Sequence, residues 1–447
     1  MKNREQFGGN LYVILAMAGS AIGLGNIWRF PYIVGEYGGA AFIIIYFLAC
    51  LFIALPIFFA ETVIGRRGGM DTFGSMRRLA PGTNWYKMGL LTIISPIIIL
   101  SYYSVVGGWS IHYLLKSFSG TVGQETGHFA EFISSVEAPL LAHTVFIIMV
   151  AAIVLGGVKK GIEKFSKITM PVLFLLILVI VIFSLTLPGS GRGVDYLIHP
   201  DFSKLTGQAF AAAVGQAFFS LSLGVGTVLT YASYMRKKDN ILVSGLGTAG
   251  FDLMFALLAG FAVMPAVFAA GLSPSSGPGV VFETLPYIFA KMGAGSAWIT
   301  VCVAGVFFLA VLMAALTSAI SMLEVGVAYM VEEKGLGRSK AVLYLSLFSW
   351  AVGLLCSLSF GPLAEVKILG NTLFEFLDKL CSNWLMPFGG LLFTIFVGWK
   401  LPSADVYDEF TNGGAKGLNK KIYPVVRVLL KYIAPIGIIA VFLNAIL

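Results

Sequence analysis

Residues 18–31, AGSAIGLGNIWRFP, place glycine and polar residues in the middle of a hydrophobic run. With the apolar residues on either side, the run is long enough to cross a bilayer, which takes about 20 apolar residues. Gly19, Gly23 and Gly25 each weaken a helix by roughly 1 kcal/mol relative to Ala, and an unsatisfied backbone group at that depth costs several kcal/mol. The stretch therefore predicts a membrane helix that breaks near its centre, where an ion or a ligand can satisfy the released backbone groups.

The composition is typical of a polytopic membrane protein. Of the 447 residues, 58% are hydrophobic and 12% charged, against about 25% charged in a soluble domain, and the mean hydropathy is +0.89. The net charge of +8 comes from short basic clusters between apolar runs, where the positive-inside rule expects them. We therefore predict no nucleic-acid partner, and we infer no obligate protein partner.

The cysteine and histidine residues form no recognisable disulfide or metal motif. Apolar or membrane-edge sequence without CxxC spacing surrounds Cys50, Cys302, Cys356 and Cys381. The four histidines are scattered, and we interpret them as helix-edge or loop residues: His112, His128, His143 and His199. Because no nucleophile with its base emerges either, we do not expect an enzyme.

Apolar runs predict about eleven membrane spans. In order, they cover roughly residues 10–33, 40–65, 89–116, 140–157, a run ending near 187, 207–234, 243–271, 295–330, 340–357, a run ending near 398, and 424–446. A loop at 273–293 is expected to carry a short amphipathic helix, and a basic loop is expected between the last two spans. The basic clusters place the N-terminus in the cytoplasm, and an odd number of spans places the C-terminus outside.

Span six repeats the oddity of span one. Its residues 215–226, GQAFFSLSLGVG, put serine and glycine in mid-membrane. Spans one and six begin two successive blocks of five spans each, at about 10–187 and 207–398. Because five crossings end on the opposite side of the membrane, the second block is inverted relative to the first. A single glycine-rich span would suit a small-residue packing face. Two interrupted spans in matching places instead predict a transporter site at the midplane of the membrane.

These two tracts, together with AALTS at residues 314–318, resemble the neurotransmitter:sodium symporter family, and especially its bacterial eleven-helix amino-acid transporters. The likeness runs over essentially the whole chain. It implies an all-α membrane protein with a LeuT-like fold, in which about eleven transmembrane helices include a 5+5 inverted repeat with helices 1 and 6 broken at mid-membrane. It also implies one transporter domain over residues 1–447, an extra C-terminal helix at about 424–446, and a location in the plasma (inner) membrane.

The resemblance implies a central site for a free amino acid, whose charged ends face backbone groups at the helix breaks. The carboxylate would be held by the amides of Leu24 and Gly25 and the hydroxyl of Tyr103. The ammonium would be held by the carbonyls of Ala21, Phe219 and Ser220 and the hydroxyl of Ser222. Monoamine-transporting relatives carry Asp at the place of Gly23, so glycine favours a substrate with its own carboxylate. The remaining expected contacts, including the hydrophobic wall, are Ile99, Phe219, Val225, Ser318 and Met322.

Two sodium sites are implied in the same way. The first comprises Ala21, Asn26, Ser220 and Asp252 and is closed by the substrate carboxylate. The second comprises Gly19, Ile22, Ala314, Thr317 and Ser318. Oxygen ligands suit a hard cation, and no thiolate or imidazole set is present. Taken alone, Thr317 and Ser318 could instead hydrogen-bond within their own helix.

The resemblance gives Asn as the usual family residue at the place of Asp252, and in chloride-dependent members this Asn lies next to a bound anion. A fixed carboxylate would replace that anion, because two sodium ions and one ammonium against one substrate carboxylate leave a buried excess of positive charge. We therefore predict chloride-independent uptake, with no chloride site. The alternative is an Asp at a helix end that faces water.

Charged residues near the span ends resemble the gates of the family. Arg29 and Asp378 would close over the substrate on the outer side. Arg4 and Glu332 would form the cytoplasmic pair, with Phe7 where Trp is usual. Taken without the resemblance, each of these charges could be a solvated helix-end residue.

Two further features in the membrane resemble functional positions of the family. Glu61 lies in the middle of span two, where a buried carboxylate is costly, and it is expected to bond the backbone freed at the helix breaks. Gly161 and Pro171 bracket the cytoplasmic start of span five, which could unwind as a hinge and admit water toward the second sodium.

The sequence is therefore interpreted as a sodium-coupled symporter that imports hydrophobic, aliphatic and aromatic, L-amino acids by alternating access. Two alternatives stay open. One keeps the mechanism and changes the solute to another small zwitterion, and the other is an ion channel whose filter is formed by the helix breaks.

Overall fold

The computed structural model describes residues 5–123, 127–274, 281–292 and 297–446. Within these ranges the chain is helical, apart from turns and one isolated antiparallel bridge between Ile368 and Asn371. Nine of the described helices are long and apolar enough to cross a membrane. They form spans two to five and seven to eleven, namely Ala40–Gly68, Tyr86–Phe118, Glu137–Leu155, Val158–Leu185, Ile241–Ala269, Trp298–Glu332, Arg338–Leu358, Leu373–Lys400 and Gly417–Leu443.

Span one is broken where the sequence predicts it. Its two halves are Asn10–Ala21 and Gly25–Glu36, and the chain bends by 51° between them. Ile22 is extended, with ψ of 100°, and ends the first half. The break exposes backbone groups inside the protein, as glycine at this depth allows.

Span six is broken as well, into Gly207–Ser220 and Thr227–Ala232 with turns over residues 221–226. Neither half alone is long enough to count among the nine long helices. The turn is left-handed at Gly224, with φ of 79°, and a Cβ there would lie 1.9 Å from the Met386 carbonyl oxygen. Only glycine therefore fits this close approach to span ten. By length and composition, nine continuous spans and broken span one give ten candidate spans in the described residues, and broken span six stands at the place of the remaining predicted span.

The spans on the outside of the protein carry apolar side chains that face away from it. Ile148 on span four is 61% exposed, and Leu175 and Ile182 on span five are 62% and 64% exposed. Apolar surface of this kind matches a lipid environment. The opposite sides of these spans pack against the helices that surround the two breaks.

The segment between spans ten and eleven is more than the basic loop expected from sequence. It forms a helix, Ser403–Thr411, whose Glu409 is buried. Glu409 pairs with Arg66 at the end of span two, Nε to Oε1 2.5 Å, and with Lys237 after span six, Nζ to Oε2 2.9 Å. The Asn412 amide also donates to the Lys237 carbonyl oxygen at 2.9 Å. We call Arg66, Lys237, Glu409 and Asn412 the helix clamp.

Charge balance explains why a carboxylate is tolerated in the helix clamp. Burial by itself raises the pKa of the Glu409 carboxyl. The charges of Arg66 and Lys237 and their hydrogen bonds outweigh that effect, so that this pKa lies below its usual value. A short helix of nine residues with a weak apolar pattern is not recognisable from sequence, because the partners that stabilise it lie far away in the chain.

Candidate substrate and ion site

A cavity lies between the breaks of spans one and six. Its cavity volume is about 20 Å³, which is too small for an amino acid. The site is thus closed in this form and has to widen to admit an amino acid. Its lining comprises Ala21, Gly23, Gly25, Ile99, Tyr103, Phe219, Ser222, Val225, Ser318, Met322 and Met386. Every predicted substrate residue except Leu24 and Ser220 is in this lining, and Met386 is an addition.

The polar end of the cavity is built from the break of span one and the Tyr103 hydroxyl. The Leu24 amide donates to this hydroxyl at 3.1 Å, so the two groups expected to hold a carboxylate are adjacent. A Cβ on Gly23 would lie 2.3 Å from Ser318 Oγ and 2.8 Å from Tyr103 Oη. A Cβ on Gly25 would lie 2.8 Å from the Phe219 ring. Both glycines therefore keep open the little space that the site has.

Three of the residues predicted for the first sodium site meet beside this cavity. The Asn26 side-chain nitrogen lies 3.0 Å from Ser220 Oγ and 2.8 Å from Asp252 Oδ1, and the Ser220 hydroxyl donates to the same carboxylate at 2.8 Å. The fourth, Ala21, lines the cavity. A half-turn of the Asn26 amide would present oxygen in place of nitrogen and make the set all-oxygen.

Asp252 lies inside the protein, with 1% of its surface exposed, in the middle of span seven. The alternative of an Asp at a helix end that faces water is therefore wrong. The Tyr46 hydroxyl donates to Asp252 Oδ2 at 3.3 Å, which sequence reasoning missed. No local signal could have found this pair, because Tyr46 is on span two.

The residues predicted for the second sodium site meet on the other side of the break. The Thr317 hydroxyl lies 2.9 Å from the Ala314 carbonyl oxygen and 3.4 Å from the Ile22 carbonyl oxygen. It thus bonds within its own helix and also reaches span one. A Cβ on Gly19 would lie 3.5 Å from Thr317 Cβ, so Gly19 is in contact as well. The Ser318 hydroxyl donates to the Ser20 carbonyl oxygen of span one at 3.0 Å.

Ser20, which the sequence analysis did not single out, joins three spans. Its carbonyl oxygen accepts from the hydroxyls of Ser222 and Ser318, each at 3.0 Å. Its own hydroxyl donates to Ser321 Oγ at 2.7 Å. A serine among small residues at a helix break carries no distinguishing sequence signal, because its role depends on spans six and eight.

The carboxylate of Glu61 satisfies backbone groups of broken span six. The Gly224 amide donates to it at 2.7 Å and the Leu229 amide at 3.3 Å. A second tie joins the two breaks directly, since the Gln216 side-chain amide donates to the Gly25 carbonyl oxygen at 2.8 Å. Side chains thus replace part of the hydrogen bonding that the unwound helices lose.

The outer gate residues, Arg29 and Asp378, form no direct ion pair in the described part of the chain. The Arg29 guanidinium lies over the Phe219 ring, 4.8 Å from its centroid, and covers the cavity. No N–O distance between Arg29 and Asp378 is within 4.0 Å among the described residues. The lid in this form is therefore a cation–π contact.

The inner gate is described in part. Arg4 lies outside the described residues, and Glu332 accepts a hydrogen bond from the Asp71 amide at 2.7 Å. Phe7 is buried and packs edge-on against Tyr231 and Tyr234, with ring centroids 5.8 and 6.0 Å away. Phe7, whose ring is smaller than that of Trp, thus makes the aromatic contacts at this position.

The start of span five is helical in this form. Gly161 lies in the wide turn Val158–Glu163, and the helix then runs through Pro171 to Leu185. Glu5 accepts from the Val158 amide at 2.6 Å, and Glu163 accepts from the Gly8 amide at 2.8 Å. The Lys159 amide also donates to Glu5, at 3.3 Å, so three hydrogen bonds join the start of span five to the N-terminal segment.

Two half-helices that end at one closed cavity, with carboxylate, hydroxyl and carbonyl oxygens beside it, define a membrane transporter of the broken-helix class. The sodium:neurotransmitter symporter family model matches residues 4–131 and 124–447. The chain belongs to this family.

Individual relatives agree with the family assignment. The chain is 38% identical over 446 residues to an uncharacterized sodium-dependent transporter of Bacillus subtilis, YhdH, covering 99% of this chain and 97% of the relative. It is 26% identical over 504 residues to the sodium-dependent serotonin transporter of Drosophila melanogaster, covering 100% of this chain and 77% of the relative. The crystal structure of MhsT in complex with L-phenylalanine matches with a TM-score of 0.91 and 41% identity, covering 99% of this chain and 100% of that one.

These similarities confirm the LeuT-like fold expected from the sequence resemblance and make the protein a sodium-dependent symporter that spans a membrane several times. The family is one of transporters and not of enzymes. The roles of individual site residues stay predictions.

Proposed function

We propose that this protein imports hydrophobic L-amino acids together with sodium, at one site between the breaks of spans one and six. The observation that carries the proposal is the combination of a polar end, where the Leu24 amide meets the Tyr103 hydroxyl, with an apolar wall. The wall consists of Ile99, Phe219, Val225, Met322 and Met386. A zwitterion with a large apolar side chain satisfies both parts. The phenylalanine bound to MhsT supports the same substrate class.

Coupling follows from the position of Ser220. Its hydroxyl belongs to the predicted first sodium site, and its residue ends the first half of span six directly beside the cavity. A substrate carboxylate at the Leu24 amide can complete the coordination of an ion held by Asn26 and Asp252. Sodium and substrate then stabilise each other, because the positive ion and the negative carboxylate compensate each other's charge in a site without water.

The second sodium would be held by carbonyl oxygens of Gly19, Ile22 and Ala314 and by the hydroxyls of Thr317 and Ser318. Its position between spans one and eight lets it join two elements that must separate for the site to open inward. Gly19 also faces span five, where a Cβ would meet Met170 and Ser166 at 3.4 Å. Unwinding of span five between Gly161 and Pro171 would therefore expose this ion to water.

We further propose two sodium sites, no chloride, and a plasma (inner) membrane location with the N-terminus inside and the C-terminus outside. The basic clusters support the orientation. Accessibility of single cysteines introduced near each end to a membrane-impermeant thiol reagent tests it.

The main experiment measures sodium-dependent binding of one labelled amino acid to the purified protein, with Trp, Leu and Gly as competitors. We expect Trp and Leu to compete and Gly to compete poorly, and we expect no binding when choline replaces sodium. Strong competition by Gly would favour the alternative of a small zwitterion. Conductance without saturable co-uptake in proteoliposomes would favour a channel.

A variant pair tests whether the wall sets the specificity. Val225→Phe adds a ring inside the cavity, and overpacking typically costs about 1–3 kcal/mol. Competition by Trp should therefore weaken about 5- to 150-fold relative to competition by Ala. Val243→Phe makes the same change on span seven at a side chain that is 44% exposed, and should leave the ratio unchanged. An unchanged ratio in Val225→Phe would show that this apolar wall does not set the substrate specificity.

A further inference from the structure

One residue of the apolar wall around the substrate cavity comes from span ten. Met386 lines the cavity and is 2% exposed. It begins the helical segment Met386–Ile395, directly after the wide turn Leu380–Leu385. The other wall residues lie on spans three, six and eight, the spans that the family resemblance implied. Span ten therefore adds a contact to the substrate site that the resemblance did not imply.

The backbone at Met386 packs tightly against the turn of span six. A Cβ on Gly224 would lie 1.9 Å from the Met386 carbonyl oxygen, and a Cβ on Gly389 would lie 2.0 Å from the Gly224 carbonyl oxygen. Both glycines are thus needed for this close approach, and separating the two spans would lose the contacts between them. When the cavity widens, we therefore expect the side chain of Met386 to move and its backbone to stay in place.

The side chains of the wall differ in how easily they can make room. Ile99 and Val225 are branched at Cβ and therefore stiff. The Phe219 ring lies under the Arg29 guanidinium, 4.8 Å from its carbon to the ring centroid. Methionine has three rotatable bonds and a polarizable thioether, so it fills irregular space and makes favourable contacts with aromatic rings. Met386 can therefore change its shape where these other wall residues cannot.

An adjustable residue is needed because the cavity, at about 20 Å³, is too small for an amino acid. We propose that Met386 is a specificity-determining residue of the amino-acid site, which turns aside for a large apolar side chain of the substrate and fills the space beside a small one. This proposal rests on the function proposed above. One site can then accept aliphatic and aromatic side chains while spans six and ten keep their contact.

Two substitutions that change Met386 in opposite ways test the proposal. The ratio of the affinities for Trp and Ala is measured by competition with labelled Leu in the presence of sodium. Met386→Ala opens room for the indole ring, and a change of one methylene in an apolar pocket alters discrimination about 10- to 200-fold, so the ratio should rise at least about tenfold. Met386→Ile keeps most of the volume but is branched at Cβ and cannot turn aside, so the ratio should fall by about tenfold or more.

The same two substitutions at Met254 serve as matched controls. This side chain lies on span seven and is 44% exposed, so Met254→Ala and Met254→Ile should leave the ratio unchanged. Poor folding lowers binding of both competitors alike and cannot shift the ratio in opposite directions. A ratio that stays at the parent value in both Met386 variants, or that moves the same way in both, would overturn the proposal. Failure of the parent to bind any amino acid with sodium would instead refute the proposed function, and this proposal with it.

A structure of the parent with sodium and Trp bound makes the test independent of the variants. We expect Met386 in a changed rotamer, with its sulfur about 5 Å from the indole ring. A bound Trp that makes no contact with Met386, or a Met386 rotamer that is unchanged, would overturn the proposal even if the variants were poorly folded.

Discussion

Replacing Asp252 by Asn removes one negative charge from the centre of the protein and preserves the shape of the side chain. Asp252 now accepts from the Asn26 amide at 2.8 Å, from Ser220 at 2.8 Å and from Tyr46 at 3.3 Å. A carboxamide has one accepting oxygen, and its NH₂ group would have to face one of these donors. The variant therefore loses both the charge and part of the hydrogen bonding.

The size of the effect follows from the distance between the carboxylate and the ion it would hold. At roughly 4 Å and an effective dielectric constant near 20, two unit charges interact by about 4 kcal/mol. Relaxation and water will cancel part of this energy. Even a loss of about 1.4–2.8 kcal/mol raises the half-saturating sodium concentration about 10- to 100-fold.

Uptake into proteoliposomes at several sodium concentrations, with chloride or gluconate as the anion, measures both consequences. We expect parent uptake to be the same in the two anions, and uptake by Asp252→Asn to need more sodium and to be stimulated by chloride. Asp405→Asn makes the same change at a 41% exposed side chain in the ion pair with Arg67 and serves as the control. The reasoning is refuted if Asp252→Asn keeps its sodium dependence, or if gluconate abolishes uptake by the parent.

Three further substitutions test other parts of the structure. Glu409→Gln leaves buried Arg66 without its carboxylate and should cost about 3–5 kcal/mol of unfolding free energy by thermal or chemical denaturation. Because the pKa of Glu409 is lowered, its contribution is complete above the usual value of 4.5 and is lost as pH falls through the lowered pKa, so the variant should show a weaker acid-induced loss of stability. Pro171→Ala should slow uptake and leave equilibrium binding largely intact, and unchanged turnover in rapid-flux measurements would argue against the hinge. Gly224→Ala places a Cβ 1.9 Å from the Met386 carbonyl oxygen and should abolish folded protein, as size-exclusion profiles will report; a well-folded active variant would show that the break can relax.

The features that sequence predicted well are those encoded locally. Glycine in apolar runs marked both breaks, and the two halves of span one and span six lie where the motifs place them. Asn26, Ser220 and Asp252 were grouped by family resemblance, and they meet in space. Local pattern suffices for the two breaks because backbone satisfaction in a membrane leaves few arrangements, whereas the grouping of these three residues came from the resemblance and not from local pattern.

The features that sequence missed depend on distant contacts. Met386 enters the cavity because span ten packs against the left-handed turn at Gly224, which no periodicity records. Tyr46 reaches Asp252 across a separation of 206 residues. His112 and His128 likewise meet, with their Nε2 atoms 3.5 Å apart, only because the helix His128–Ser134 folds back on span three. In each case the signal is tertiary packing and not spacing along the chain.

The helix clamp has a consequence for the motion of the protein. Glu409, on the helix Ser403–Thr411, pairs both with the end of span two and with the segment after span six. These three regions should therefore move together as one rigid body during transport. Spin labels placed on any two of these regions are expected to report the same separation in all states. For a label on one of these regions and a second label at the start of span five, the separation should change between states.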